Sequence, residues 1–225
     1  MLDIIITQDG SPTVFDHSVQ SHYHSLSGAI GESNHVFIQG SYLPELLKYG
    51  NVHILEIGFG TGLNFLLSYY QLVINTKNKI FYTAFEPDLL PELLMAEYYH
   101  SLPAYLPKLD ALTTIYQRPI SPTITVDFFP FAELTVFSCP FSKELINNQQ
   151  YDCIFLDAFD SKISPELWDE DAFLTYFELL KNGGCLVSYG ITGQVQRILK
   201  KHGFFFQKPS GFGNKREMLR VWKQE

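Results

Sequence analysis

Hydrophobic positions fall into short continuous runs separated by longer amphipathic stretches, and that rhythm sets in at Val52. Runs such as "KIFYTAF" and "CIFLDAF" are rich in β-branched and aromatic residues and stop abruptly at polar ones. They predict strands at 52–57, 79–85 and 152–157, with others at 185–189 and on either side of Pro130, at 123–128 and 134–138. Helices are predicted at 63–75, 89–100, 170–181 and 194–202, with a Pro-broken helical region leading up to Pro122. Such alternation means a mainly parallel sheet covered by helices on both faces. A last strand pair, 204–207 and 217–222, has no helix between its members and must be antiparallel.

The first fifty residues follow a different rhythm. They are rich in turn formers and His and read as irregular structure with short strands, an N-terminal cap over the core. The expectation is one domain, 1–225, divided into a cap (1–50) and a core (51–225). Trp168 is expected to pack under the sheet edge, Pro165 and Asp169 to mark a turn and a helix start, and Phe204 to Phe206 to be core.

Composition narrows the functional classes. With 46% hydrophobic residues in 225, the chain can build a sizeable core. Its first residues lack a basic, then apolar, leader, and no run reaches the roughly 18 apolar residues of a membrane span. A cytoplasmic protein without a membrane partner is expected. Cys139, Cys153 and Cys185 are too widely spaced for a disulfide framework or a zinc site, and the histidines have no metal-ligand spacing, so no metal is expected. The net charge of −8 conceals a polarity: Arg197 to Glu225 carry a balance of +6, leaving −14 for residues 1–196. A basic C-terminal face that meets an RNA backbone is one reading, and a merely solvated face is the other.

The stretch "HILEIGFGTGLNFLL" (53–67) carries the clearest chemistry. A glycine turn between strand and helix points its amides and the helix N-terminus into the crevice beyond the strand ends, where doubly wound sheets bind ligands. The dinucleotide pattern G-x-G-x-x-G fails at its last glycine, where Leu63 stands, so NAD is disfavoured. Glu56, two residues before Gly58, suits a ligand with a cationic amino-acid moiety, and Glu86, ending the next strand, can accept hydrogen bonds from two ribose hydroxyls. S-adenosylmethionine has both features. The expected cofactor set is Glu56, Gly58, Phe59, Gly60, Thr61, Gly62, Asn64, Glu86 and Asp157.

"EIGFGTGLN" (56–64) resembles the nucleotide loop of Rossmann-like class I methyltransferases. "LDAFDSKISPELW" and "GFGNKREML", with "DGSPT", "ES" and "HVFI" near the start, resemble one family among them. That family is the methyltransferase domain of the bifunctional tRNA 5-methylaminomethyl-2-thiouridine biosynthesis protein, including stand-alone forms. The resemblance implies a mainly parallel seven-stranded sheet with a C-terminal antiparallel hairpin, and transfer of methyl to the amine of 5-aminomethyl-2-thiouridine at the tRNA wobble position. Its partners would be S-adenosylmethionine and tRNA. The oxidase half has no counterpart in these 225 residues, which implies a separate enzyme supplying the aminomethyl-uridine tRNA. The chain departs from the family where "VFSCPFSKEL" replaces a Gly-Asp beside the adenine, and where Asp160-Ser161 follows "DAF".

Asp157 matches the acid of the family's "DGF" position and, at the end of a core strand, can orient the amine and take its proton. Tyr23 and His24 are candidates for the acceptor pocket, beside His22. In "SGFGNKREM", Gly211 and Gly213 flank Lys215 and Arg216, a pair suited to a phosphate backbone. Two other readings stay open: a small-molecule methyl- or aminopropyltransferase of the same fold, and a non-catalytic tRNA-binding module.

Overall fold

The computed structural model describes residues 1–75, 77–107, 109–117, 122–128, 130–146 and 149–224. Part of the Pro-broken region predicted before Pro122 therefore lies outside the described residues.

The chain opens with three antiparallel strands, β1 (Leu2–Ile6), β2 (Pro12–Asp16) and β3 (Ser21–His22), ordered β1-β2-β3. Helix α1 (Ala29–Ser33) runs into a π-helical turn, Asn34–Gln39, and α2 (Leu43–Tyr49) follows. The core then alternates as expected: β4 (Val52–Ile57), α3 (Leu63–Asn75), β5 (Ile80–Phe85), α4 (Glu92–Ser101) and the short α5 (Asp110–Thr113). After these come β6 (Thr123–Phe128), β7 (Ala132–Phe137), β8 (Tyr151–Leu156), α6 (Glu170–Leu179), β9 (Leu180–Ser188), α7 (Gly193–Lys201), β10 (Phe205–Gln207) and β11 (Leu219–Trp222).

The main sheet has eight strands rather than seven, in the order β10-β11-β9-β8-β4-β5-β7-β6. The strand beyond the seven that the resemblance implies is β6, predicted from the pattern at 123–128, which pairs antiparallel with β7 from Thr123 opposite Phe137 to Phe128 opposite Ala132. The five central strands are parallel. β11 inserts between β9 and β10, antiparallel to both.

Side-chain alternation sorts the strands onto two faces. Ile54, Cys153, Phe155, Cys185 and Val187 point to a cluster completed by α1, the π-helical turn, α2 and α3. Leu55, Ile154, Leu156, Leu186 and Val221 point the other way, to α6 and α7. Residues 29–49 thus supply buried side chains, among them Phe37, Leu43 and Leu47, to the sheet itself. The sequence pattern there reads as irregular because Gly40, Tyr42 and Pro44 break the helical period.

Asp169 caps α6, accepting a hydrogen bond from the Ala172 amide at 2.8 Å, so the predicted helix start is met. Trp168 is buried, its indole N–H donating to the Phe159 carbonyl. The expectation that Phe204 to Phe206 are all core is corrected at Phe205. That ring stands on the edge strand β10 and is 47% exposed, whereas Phe204 stacks flat on Phe177.

Candidate active site

The reversal of strand order between β4 and β8 opens a crevice at the carboxyl ends of the strands. It holds a cavity of about 690 Å³, within the range of small-molecule sites.

The glycine turn forms its floor. Gly58, Gly60 and Gly62 all have positive φ, at 92°, 51° and 70°. A Cβ on Gly58 would meet the Asp157 carbonyl and the Ala158 amide at 2.8 Å, and one on Gly60 would meet the Tyr23 ring at 2.9 Å. The turn is fixed from below: the Gly58 amide donates to the Phe85 carbonyl, and the Gly62 amide to that of Phe59. Tyr116 and Tyr99 hydroxyls close its underside, donating to the carbonyls of Gly60 and Thr61.

Glu86 stands at the end of β5 with one oxygen accepting from the Gly60 amide (2.8 Å) and the other from the Asp88 amide (3.1 Å). Each carboxylate oxygen retains a lone pair for a ligand hydroxyl. Burial pushes this carboxyl up to about 7, against the two backbone hydrogen bonds that favour its charge.

Asp157 follows β8, its amide bonded to the Ile57 carbonyl. The Asn64 side-chain amide donates both to Asp157 Oδ2 and to Glu56 Oε1, each at 2.7 Å, and Tyr82 donates to Glu56 Oε2. One amide group thereby bridges two carboxyls. Burial holds the Asp157 carboxyl well above the usual carboxylate range, and the negative charge of Glu32 adds to that.

Of the residues expected to bind the cofactor, Gly58, Phe59, Gly60, Thr61, Glu86 and Asp157 line this cavity. Glu56, Gly62 and Asn64 do not. Glu56 is fully buried beneath the turn, its oxygens taken by Asn64 and Tyr82, so it supports the floor rather than reaching a ligand's ammonium. Gly62 turns its α-carbon toward the Phe59 ring, and Asn64 is spent on positioning Asp157.

Tyr23 and His24, the residues expected at the acceptor pocket, line the same cavity with His22. His24 is buried, its Nδ1 lacks a partner, and desolvation lowers its pKa to about 4, so the ring is neutral. The expectation that Lys215 and Arg216 face an RNA backbone together is corrected. Lys215 turns into the cavity, where its Nζ pairs with Glu32 at 2.6 Å, while Arg216 is exposed and outside it. The glycines beside them serve internal packing: Gly211 abuts the Lys215 carbonyl, and Gly213, at φ 59°, abuts Ser27.

Several lining residues escape a reading of the sequence alone. Glu32 sits in the "ES" dipeptide, on a helix that the pattern does not reveal. Tyr189 follows the last residue of β9, and Phe141 lies in the segment after β7, where it packs edge-on against Phe85. Their strand-end positions are the one signal that could have singled them out.

The strand order and the glycine turn at its switch point, with an acid ending the neighbouring strand, define a Rossmann-like class I methyltransferase. A family model described as S-adenosyl-L-methionine-dependent methyltransferase matches residues 109–224, and the chain belongs to that family.

Two relatives are tRNA 5-methylaminomethyl-2-thiouridine biosynthesis bifunctional proteins, MnmC, from Leptospira borgpetersenii serovar Hardjo-bovis and Actinobacillus pleuropneumoniae serotype 5b. Each is 30% identical, over 207 and 214 residues, and each match covers 88% of this chain. The chain spans 31% of the length of these relatives. The crystal structure of MNMC2 from Aquifex aeolicus matches 100% of this chain and 72% of its own, with a TM-score of 0.76 and 25% identity.

Proposed function

We propose that the chain transfers a methyl group from S-adenosylmethionine to the primary amine of 5-aminomethyl-2-thiouridine at the wobble position of tRNA. The observation that carries this reading is the position of Asp157. Its carboxyl is held by Asn64 in the cavity that the glycine turn and the N-terminal residues His22, Tyr23 and His24 also line. The names of the relatives point to the same modification, and the chain's own geometry suits an amine acceptor.

The cavity fits the cofactor. Glu86 offers lone pairs to two hydroxyls, and Pro140 with Phe141 provides an apolar face for a base. Bound there, S-adenosylmethionine supplies a methyl group already activated on sulfonium. The protein must present an amine with a free lone pair in line with it. For an amine as basic as Lys, shedding the proton at pH 7 costs about 4.6 kcal/mol, and attachment beside a uracil ring lowers that figure.

Asp157 is placed to take that proton, because its raised pKa makes its carboxylate a better base than an exposed Asp. Tyr23, His24 and Tyr189 enclose the acceptor and exclude water. The reading that competes, a small-molecule methyltransferase, is favoured only by the acidic total charge.

Incubation with labelled S-adenosylmethionine and tRNA from cells lacking the modification, followed by nucleoside analysis, tests the assignment. Label in 5-methylaminomethyl-2-thiouridine is expected. Label elsewhere, or none, rejects it.

A further inference from the structure

One cation in the acceptor half of the cavity has no place in the mechanism above. Lys215 Nζ lies 2.6 Å from Glu32 Oε1 and 3.9 Å from the centroid of the Tyr189 ring. Both of its partners are anchored to backbone. Glu32 is buried, and its other oxygen accepts from the Ser25 amide at 2.7 Å. Tyr189 is held by donating its hydroxyl to the Ala158 carbonyl at 2.9 Å. Lys215, by contrast, reaches in on a flexible four-carbon stem, with its side chain 38% exposed.

A buried carboxylate and an aromatic face converging on one nitrogen are the complement of an alkylammonium ion. All three residues line the cavity that contains Asp157 and the glycine turn.

We propose that Glu32 and the Tyr189 ring form the receptor for the acceptor's primary ammonium group, and that Lys215 fills it as an internal stand-in until the acceptor displaces its side chain. This rests on the reading of the acceptor as an amine.

The exchange is selective by charge. A buried carboxylate stripped of its cation is costly, so only another cation can replace Lys215, and a hydroxymethyl or unsubstituted uridine cannot. It also requires no backbone movement. The lysine's own amide stays bonded to the Phe212 carbonyl, and Gly213 stays packed on Ser27. After methylation, the returning Lys215 competes with the product amine and favours its release.

The proposal reverses the sign expected of Lys215. A lysine that binds RNA lowers the Michaelis constant for tRNA, whereas a stand-in raises it. Lys215→Met, which keeps the stem and removes the charge, is therefore expected to lower that constant several-fold, and Glu32→Gln to raise it at least tenfold.

A direct readout is the Nζ resonance of Lys215 in nitrogen-15-labelled protein saturated with S-adenosylhomocysteine, assigned by its loss in Lys215→Met. An anticodon stem-loop carrying 5-aminomethyluridine is expected to shift it to the position of solvent-exposed lysines. The same stem-loop with plain uridine is expected to leave it in place. Millimolar benzylamine, which contains no RNA, is the second probe. If benzylamine displaces Lys215 but tRNA is not methylated, the receptor stands and the tRNA assignment fails. If tRNA is methylated while neither amine moves the resonance, or if Lys215→Met raises the Michaelis constant, the proposal is overturned.

Discussion

The Glu86 carboxyl is the residue whose protonation most directly couples the site to pH. Burial raises it from its ordinary value near 4.5 to about 7. Ionised, it accepts from both ribose hydroxyls of the proposed cofactor, and protonated it loses one acceptor. Titration calorimetry should therefore show affinity for S-adenosylmethionine rising with pH from 6 to 8, with a midpoint near 7, and the dependence should vanish in Glu86→Gln. The stability of the free protein runs the other way. A carboxyl with a raised pKa contributes stability that is full below about 4.5 and is lost as pH climbs through about 7. Asp157 offers a second test. Asp157→Asn should cut the single-turnover rate by roughly 10²-fold or more while cofactor affinity changes only a few-fold. Asp160→Ala should be mild, since Asp160 is exposed and serves a turn, its carboxylate accepting from the Lys162 amide. Equal rates for Asp157→Asn and wild type between pH 6 and 9 would remove Asp157 from the mechanism.

At the scale of elements, the β4–turn–α3 unit does the most for function. Its glycines hold a conformation that a side chain would both strain and obstruct. Gly60→Val, with its branched Cβ driven against the Tyr23 ring, should abolish cofactor binding by calorimetry, and circular dichroism should report an intact fold. Helix α6 is a control of a different kind. Asp169→Ala removes its N-cap and should lower stability by about 1 kcal/mol in urea unfolding without changing cofactor affinity. These elements were readable from the chain because each obeys a local rule: an apolar run, a glycine turn, a capping acid. The helices at 29–49 obeyed none, and only burial against the sheet sustains them.

For the whole molecule, the question is where the C-terminal positive charge goes. Much of it is spent internally. Lys201 pairs with Glu170, Lys208 with Glu217 and Lys215 with Glu32, Lys223 donates to the Leu180 carbonyl, and Arg220 lies over the Tyr42 ring. Arg197, Lys200 and Arg216 remain exposed. If tRNA docks on this face, Arg216→Ala should flatten the log–log salt dependence of tRNA affinity by about one unit. Lys215→Met should leave that slope unchanged. A slope unaffected by Arg216→Ala would leave this arginine a solvated charge and turn attention to the wall around His22.

Short-range pattern was enough for the order of strands and helices, the glycine turn and the acids at strand ends, because periodicity, turn chemistry and strand termini are properties of a few neighbouring residues. It did not reveal which charges find each other across the fold. His35 donates to the Ser210 carbonyl, the Phe212 ring packs beside Gly31, and Lys215 pairs with Glu32, so two segments about 180 residues apart build one wall of the cavity. Nothing in either segment's own sequence announces that meeting. Glu32 read as part of a turn-rich cap and Lys215 as a contact for an RNA backbone, until the tertiary structure buried the first and set the second between it and the Tyr189 ring. Likewise Glu56 read as a ligand contact, and became a buried support when Tyr82 and Asn64 closed over it. The sequence by itself determined the fold and the position of the nucleotide turn. Only the packed structure decided which carboxylates line the cavity and which lie buried beneath it, because that division depends on burial and on long-range hydrogen bonds.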